Sequence, residues 1–544
     1  MTLHSFRLVP LCLACALVLG PNVLPAQTSG ENPAQPSQPA APTMAEIERA
    51  WAAGDMVFVR EGLKILAETE GTALAQYRYG RVLANGHGGP RDNKAAATWL
   101  QKAVDQDHIE AMVLLARIYL SSKTEKGALA AAPLLQRAAA RGNSGGQYYL
   151  ALSMQNGVGM EADPANALNW LLAAGEQGHV AAQFELAKAF SRGIGTEKDT
   201  VKTQRWLTEA AANGHVQSQL FLALALDRGN GMKQDRAAAL SWFRRAAEAG
   251  LPVAQRELGL RYLTDASGPR NVTEALRWLQ AAAEAGDTGA QVQLGHIHLK
   301  GPDHGLPQDD KAAYDWYHRA AAAGDPRGML AQAVLLTEGR GADRDLTEAV
   351  RLLRLADEEA DFAAARLQLG RMAARGLLDG LVAPQTAVPW AALAVTQKDD
   401  AEALAWLEQQ ARGENRPART ILALLLQDRG GDEAHIANLL SEAAEMGDAT
   451  AQFRLGMLYT TGAGIELDYV AAHKWFNIAA TQGIAEAVEQ RALLGQLMTP
   501  EQVATAQEAA RSWMAAEGAR APQTVQQIKT SDADKDSDKA SSND

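Results

Sequence analysis

Cysteine is almost absent from this chain: 544 residues hold two, Cys12 and Cys15. Both fall in a stretch that reads as a secretory signal peptide, with Arg7 as its basic start, residues 8–20 as an apolar run and residues 21–26 as the cleavage region. The residues before Cys15 make a poor lipidation signal. Cleavage near Ala26 would leave no disulfide, no thiol chemistry and no cysteine metal site. It would also remove one of the 52 basic residues, taking the formal charge from −12 to −13. No later run approaches the roughly 18–20 apolar residues of a membrane-spanning helix. Aromatic residues are scarce, at 6%. The acidic balance argues against nucleic acid as a partner. The zinc-protease pattern HExxH and the phosphate loop GxxxxGK[ST] are missing, and a nucleophile-elbow serine is not expected. The expectation is a protein without catalytic residues, cofactor or metal, periplasmic or secreted, with no stable membrane insertion once the signal is cleaved.

What the chain does have is periodicity. Trp170, Trp206, Trp242 and Trp278 lie 36 residues apart, each with Ala or Thr three before, Ala four after and Gly eight after. A fixed period of this length marks a stacked repeat array. A glutamine column (Gln76, Gln147, Gln183, Gln219, Gln255, Gln291, Gln452) anchors the first helix of each unit. Small and large residues at offsets −1, 3, 4 and 7 from it share one helical face. Gly-x-Gly turns follow, at Gly86, Gly157, Gly193, Gly229, Gly339 and Gly462, and an Asp four residues after the second glycine is placed to cap the next helix. The tryptophans are read as core pegs of the second helix, and Trp242→Ala is expected to cost about 3–5 kcal/mol.

The fold expected is all-α: an α/α superhelical solenoid of about eleven helix-turn-helix repeats of about 36 residues, with terminal capping helices. Its boundaries are a signal peptide at 1–26, a Pro/Ser/Gln-rich disordered linker at 27–43, a capping helix pair at 44–71, the solenoid at 72–483, a closing pair at 484–517 and a disordered polar tail at 518–544. The unit starting at Ile109 replaces its glycine turn with Ser121-Ser122-Lys123. The one starting at Asp325 is read with Leu353 in the tryptophan column. Pro384 and Pro389 are expected to delay a second helix, and residues 399–412 look like an inserted helix.

The pattern from Ala451-Gln452 through Leu455-Gly456, Tyr459, Gly462, Gly464, Asp468, Ala472, Trp475, Ala479-Ala480 and Gly483 resembles the Sel-one-like repeat (SLR) family, a cousin of the tetratricopeptide repeat. Met498 to Gln502 resembles the ending of many secreted bacterial members. The resemblance implies an adaptor, of a kind that includes regulators of envelope signalling, host-interaction factors and scaffolds of exopolysaccharide export. Peptidoglycan machinery is a further possible client. A cysteine-rich subgroup is linked to β-lactams, but this chain lacks the cysteines of that subgroup, so a β-lactam or cell-wall peptide hydrolase is disfavoured.

A protein partner on the concave face is therefore expected. Its anchors are sought where an exposed column departs from its pattern: Arg78, Tyr149 and Phe221, two after the glutamines, and Arg192 and Arg228, just before glycine turns. His296, His298, His304 and His318 are read as packing residues. His108, His179 and His215 are read as turn or cap residues.

Overall fold

The computed structural model describes residues 41–264 and 270–520. The signal peptide, residues 27–40 of the linker and residues 521–544 of the tail lie outside them. The described residues form 27 α-helices, one short 3-10 turn and no strand. The fold is thus an all-α solenoid of paired helices. In chain order there are a starting pair, eleven two-helix repeats with one extra helix (Ala401–Arg412) among them, and a closing pair. The chain divides into two compact units, Met1–Asp199 and Thr200–Asp544.

The first unit contains α1 (Met44–Ala53), α2 (Met56–Thr69), α3 (Ala73–Asn85), α4 (Asn93–Asp105), α5 (Ile109–Ser121), α6 (Glu125–Ala140), α7 (Ser144–Asn156), α8 (Pro164–Glu176) and α9 (Val180–Arg192). Thr43 opens α1 with a capping box: its hydroxyl accepts from the Glu46 N–H while the Glu46 carboxylate accepts from the Thr43 N–H. Asp92 and Asp163 cap α4 and α8 as their spacing implies. Asn143, His108 and His179 cap α7, α5 and α9. Where α5 lacks a glycine turn, Lys123 takes the positive φ (53°) and the Ser122 hydroxyl donates to the Tyr119 carbonyl at 2.7 Å. The first helices of successive repeats touch directly, α3 with α5 and α5 with α7, and so form a continuous layer.

The second unit runs from helix Thr200–Ala212 to helix Pro500–Arg520. Helix Ala401–Arg412 is an insertion: the helices before and after it, Pro384–Lys398 and Arg416–Asp428, also touch each other. Pro384 does not delay its helix. It is the first helical residue, where no N–H is needed, and seven residues from the preceding cap still reach Trp390. The same count from the Asp345 cap puts Leu352, not Leu353, in the tryptophan column.

The tryptophan column is not uniformly the core peg. Trp206 is 1% exposed, but Trp170 and Trp242 are only half-buried. The position buried in every one of these helices is the next one: Leu100, Leu171, Leu207, Phe243, Leu279, Tyr317, Leu353 and Phe476. In helix Arg236–Glu248 the buried residues are Ala239, Phe243, Ala246 and Ala247. At 100° per residue their mean direction lies roughly 85° from Trp242, so that tryptophan flanks the core. Arg245 covers its outer face at 4.6 Å. The small column on the first helix receives the buried residue: a Cβ at Gly456 would lie 2.6 Å from Phe476 Cε1.

The glutamine column closes helix ends. Gln183, Gln291 and Gln452 each donate from Nε2 to the carbonyl eight residues back (Gly175, Ala283, Ala444) at 3.0–3.1 Å. Those carbonyls end the preceding helix and have no partner within it. Arg419, which replaces the glutamine in its repeat, makes the same bond to Ala411 at 2.9 Å. Gln452 also accepts from Gln482 at 2.9 Å, as Gln147 does from Gln177 at 2.7 Å.

The cap at His179 carries a pH dependence. Its Nδ1 accepts the Ala182 N–H at 3.2 Å, which requires an unprotonated nitrogen, and its ring stacks on Tyr148 at 4.7 Å. Burial pushes the imidazole below its ordinary value of 6.5. A lowered folded value means the unfolded chain binds the proton first, so this stability is complete above pH 6.5 and is lost as pH falls through the folded value. His179→Asn keeps a cap without a titrating group. The variant's melting temperature should therefore fall less than that of the parent between pH 7.5 and 5. Identical slopes would remove His179 from the acid response.

Candidate protein-binding groove

A groove crosses the first-helix layer of the first unit, over α1, α3 and α5. Its larger part is a cavity of ≈ 540 Å³ with Ile47, Leu63 and Leu74 among its apolar lining. A smaller part of ≈ 250 Å³ continues between α3 and α5 to Arg117 and the α7 cap Asn143. Tyr77, Arg81 and Glu110 line both.

Helical spacing builds the wall. Tyr77 and Arg81 are four apart on α3 and therefore meet on one face. The Arg81 guanidinium lies 5.8 Å from the Tyr77 ring and 5.6 Å from Trp51 in the last turn of α1. His108, held by capping α5, stacks on the other side of Tyr77 at 4.6 Å. Arg117 on α5 lies instead by a ring of the following first helix, 5.5 Å from that of Tyr149. Arg78 is neutralised by Glu48 at 2.8 Å.

The five candidate anchors do not converge on one place. Arg78 lines the groove, and Tyr149 is half-buried beneath Arg117, edge-on to Tyr148 at 5.0 Å. Arg192 is the exposed last residue of α9. Phe221, 49% exposed, and Arg228 lie on helix Val216–Arg228 of the second unit. Trp51, Tyr77, Arg81 and Arg117 escaped the sequence reading. A signal was there: Arg81 and Arg117 are 36 apart, in a column that continues as Leu152, Lys188, Leu224 and Leu260.

Other candidate chemistry resolves into packing. His296 Nδ1 lies 3.0 Å from the Tyr317 hydroxyl, His318 Nδ1 lies 3.0 Å from Gln332 Nε2, and His304 Nδ1 lies 2.7 Å from an Arg270 nitrogen. No three His, Cys, Asp or Glu residues are placed to hold a metal among the described residues. One stretch, Gly142-Asn143-Ser144-Gly145-Gly146, does spell GxSxG, against expectation. It joins two helices, with no strand before it. Ser144 simply starts α7, and Asn143 is spent on the cap. No hydrogen bond joins Ser144 to a histidine or carboxylate among the described residues. Nor is any described helix long and apolar enough to cross a membrane.

A stacked α/α array with an aromatic and cationic groove on its first helices is a repeat architecture. The Sel1 repeat pattern matches residues 73–108, 109–143, 144–179, 180–215, 216–251, 252–287, 288–325, 328–356, 392–414 and 449–484. The chain belongs to the Sel1 repeat family, whose solenoids are generally non-catalytic protein-interaction scaffolds. Among solved structures it is similar to a protective antigen present in uropathogenic Escherichia coli strains displaying an SLR fold. Identity is 26%, over 84% of this chain and 94% of that one, with a TM-score of 0.53. It is also similar to a Sel1 repeat protein from Oxalobacter formigenes, at 26% identity over 62% of this chain and 94% of that one, with a TM-score of 0.36. No curated protein matches the chain.

Proposed function

We propose that the protein is a non-enzymatic adaptor, periplasmic or secreted, that holds a partner protein on its first-helix face in the service of envelope signalling. The observation that carries the binding role is the groove over α1, α3 and α5, where aromatic rings and arginines line a concavity on a family scaffold. The apolar run after Arg7 supports the compartment, and the resemblance to secreted bacterial members supports the setting.

The test is a photo-cross-linking residue placed at Tyr77 in cells, with identification of the captured molecule and fractionation of the parent protein. A captured protein, and a mature chain trimmed near Ala26 in the envelope fraction, are expected. A cytosolic protein would sink the compartment. Capture of glycan alone would replace the protein partner with polysaccharide or peptidoglycan machinery. Turnover of a β-lactam or cell-wall peptide, abolished by one point change, would overturn the adaptor.

A further inference from the structure

Two arginines of the groove differ from the others around them. Arg60, Arg78, Arg91, Arg137 and Arg141 each hold a hydrogen-bond partner: the Pro90 carbonyl, Glu48, Asn93, Asp107 and the Asp107 carbonyl. Arg81 and Arg117 form no ion pair and no hydrogen bond among the described residues. Their guanidiniums rest on aromatic rings instead. A guanidinium held near a ring by its charge keeps its N–H groups free for a carboxylate, which can take two parallel bonds from them. The two arginines hold one register on neighbouring first helices, whose axes pack about 8–10 Å apart, with Arg81 near Trp51 of α1 and Arg117 near Tyr149 of α7. In an extended peptide alternate side chains share one face, about 7 Å apart. The part of the groove that both line holds Val113 and Leu114, and Leu74, 45% exposed, lines the larger part.

Resting on the adaptor reading, we propose that this groove takes an extended acidic segment of a partner protein, with carboxylates at alternate residues, on one face of the segment, held by Arg81 and Arg117. Charge favours this occupant. Glu48 is already matched by Arg78, leaving the exposed Glu110 against two unmatched arginines, so the groove is net positive on a chain of formal charge −12. A nucleic acid would meet the same two arginines but be repelled by the rest of the surface.

The mature protein should bind a blocked, fluorescein-labelled peptide Gly-Asp-Leu-Asp-Leu-Asp-Gly in fluorescence anisotropy. The same peptide with Lys for every Asp should bind at least tenfold more weakly. Arg117→Gln should weaken the acidic peptide several-fold, and Arg81→Gln with Arg117→Gln at least tenfold. Lys126→Gln, an exposed cation on α6 outside the groove, should change nothing. Raising salt should weaken binding as exposed charges are screened. Circular dichroism melts establish that each variant is folded, and Arg117→Gln, at an exposed position, serves if the double variant is not. Equal binding of the lysine peptide, or a folded double variant that binds like the parent, overturns the acidic segment. Cross-linking at Tyr77 that captures a partner through a non-acidic segment also overturns it while leaving the adaptor intact. If no partner is captured at all, the adaptor reading itself fails.

Discussion

Phe243→Ala should destabilise the protein by about 3–5 kcal/mol, and its neighbour Trp242→Ala by only about 1–2. The larger side chain is the cheaper to lose because the two point differently. Phe243 is 0% exposed among Leu220, Ala223, Ala246 and Leu258. Its ring also supports the Arg261 guanidinium at 3.9 Å, which in turn pairs with Asp227 and Glu257 at 2.7 Å each. Truncation leaves a cavity and strips that arginine of its platform. Trp242 keeps one face toward Arg245 and solvent. Urea denaturation measures the difference. Hydrogen exchange should localise the Phe243→Ala loss to helices Val216–Arg228 and Arg236–Glu248 and their neighbours, since each repeat contacts only the adjacent ones. Equal costs for the two substitutions would return Trp242 to the core.

Gly464→Ala should cost about 3–5 kcal/mol, and Gly462→Ala about 1–2. Both glycines have positive φ, 73° at Gly462 and 70° at Gly464, so both replacements strain the backbone. Only Gly464 is also hemmed in. A Cβ there would run into the carbonyl oxygen of Glu433, the first residue of the preceding second helix, whereas around Gly462 the nearest atom is 3.6 Å away. The second glycine of this turn is thus a seat for the previous repeat as well as a bend. Gly88 on Met56, Gly159 on Ala128 and Gly341 on Asp310 show the same approach. Thermal melts of the two variants measure the contrast. A Gly464→Ala loss no greater than that of Gly462→Ala would show that the helix gives way and that the turn alone needs the glycine.

Much of this architecture was legible because it is local and repeated. Asp92, Asp163, Asp235 and Asp468 cap helices where their spacing from a glycine places them. A cap depends on a few consecutive residues, and those recur. His179 and His215 were readable as turn residues for the same reason. The candidate groove was less legible. Arg78 and Tyr149 border it, but the Trp51–Arg81–Tyr77–His108 stack draws on three helices, and no single repeat contains it.

By itself the sequence determined the class of fold, the helix pairing, the turns and the caps, since period, glycine and cap residues act within one repeat. Tertiary structure alone decided which large residue is the core. A shift of one position turns a side chain by 100°, and whether Trp242 or Phe243 faces the neighbouring helix depends on how the helices pack, not on which residue is larger. It also decided which arginines are matched. Arg78 finds Glu48, 30 residues away, while Arg81 and Arg117 find only rings. Pairing is a property of neighbours in space, and stacking the repeats is what makes them neighbours.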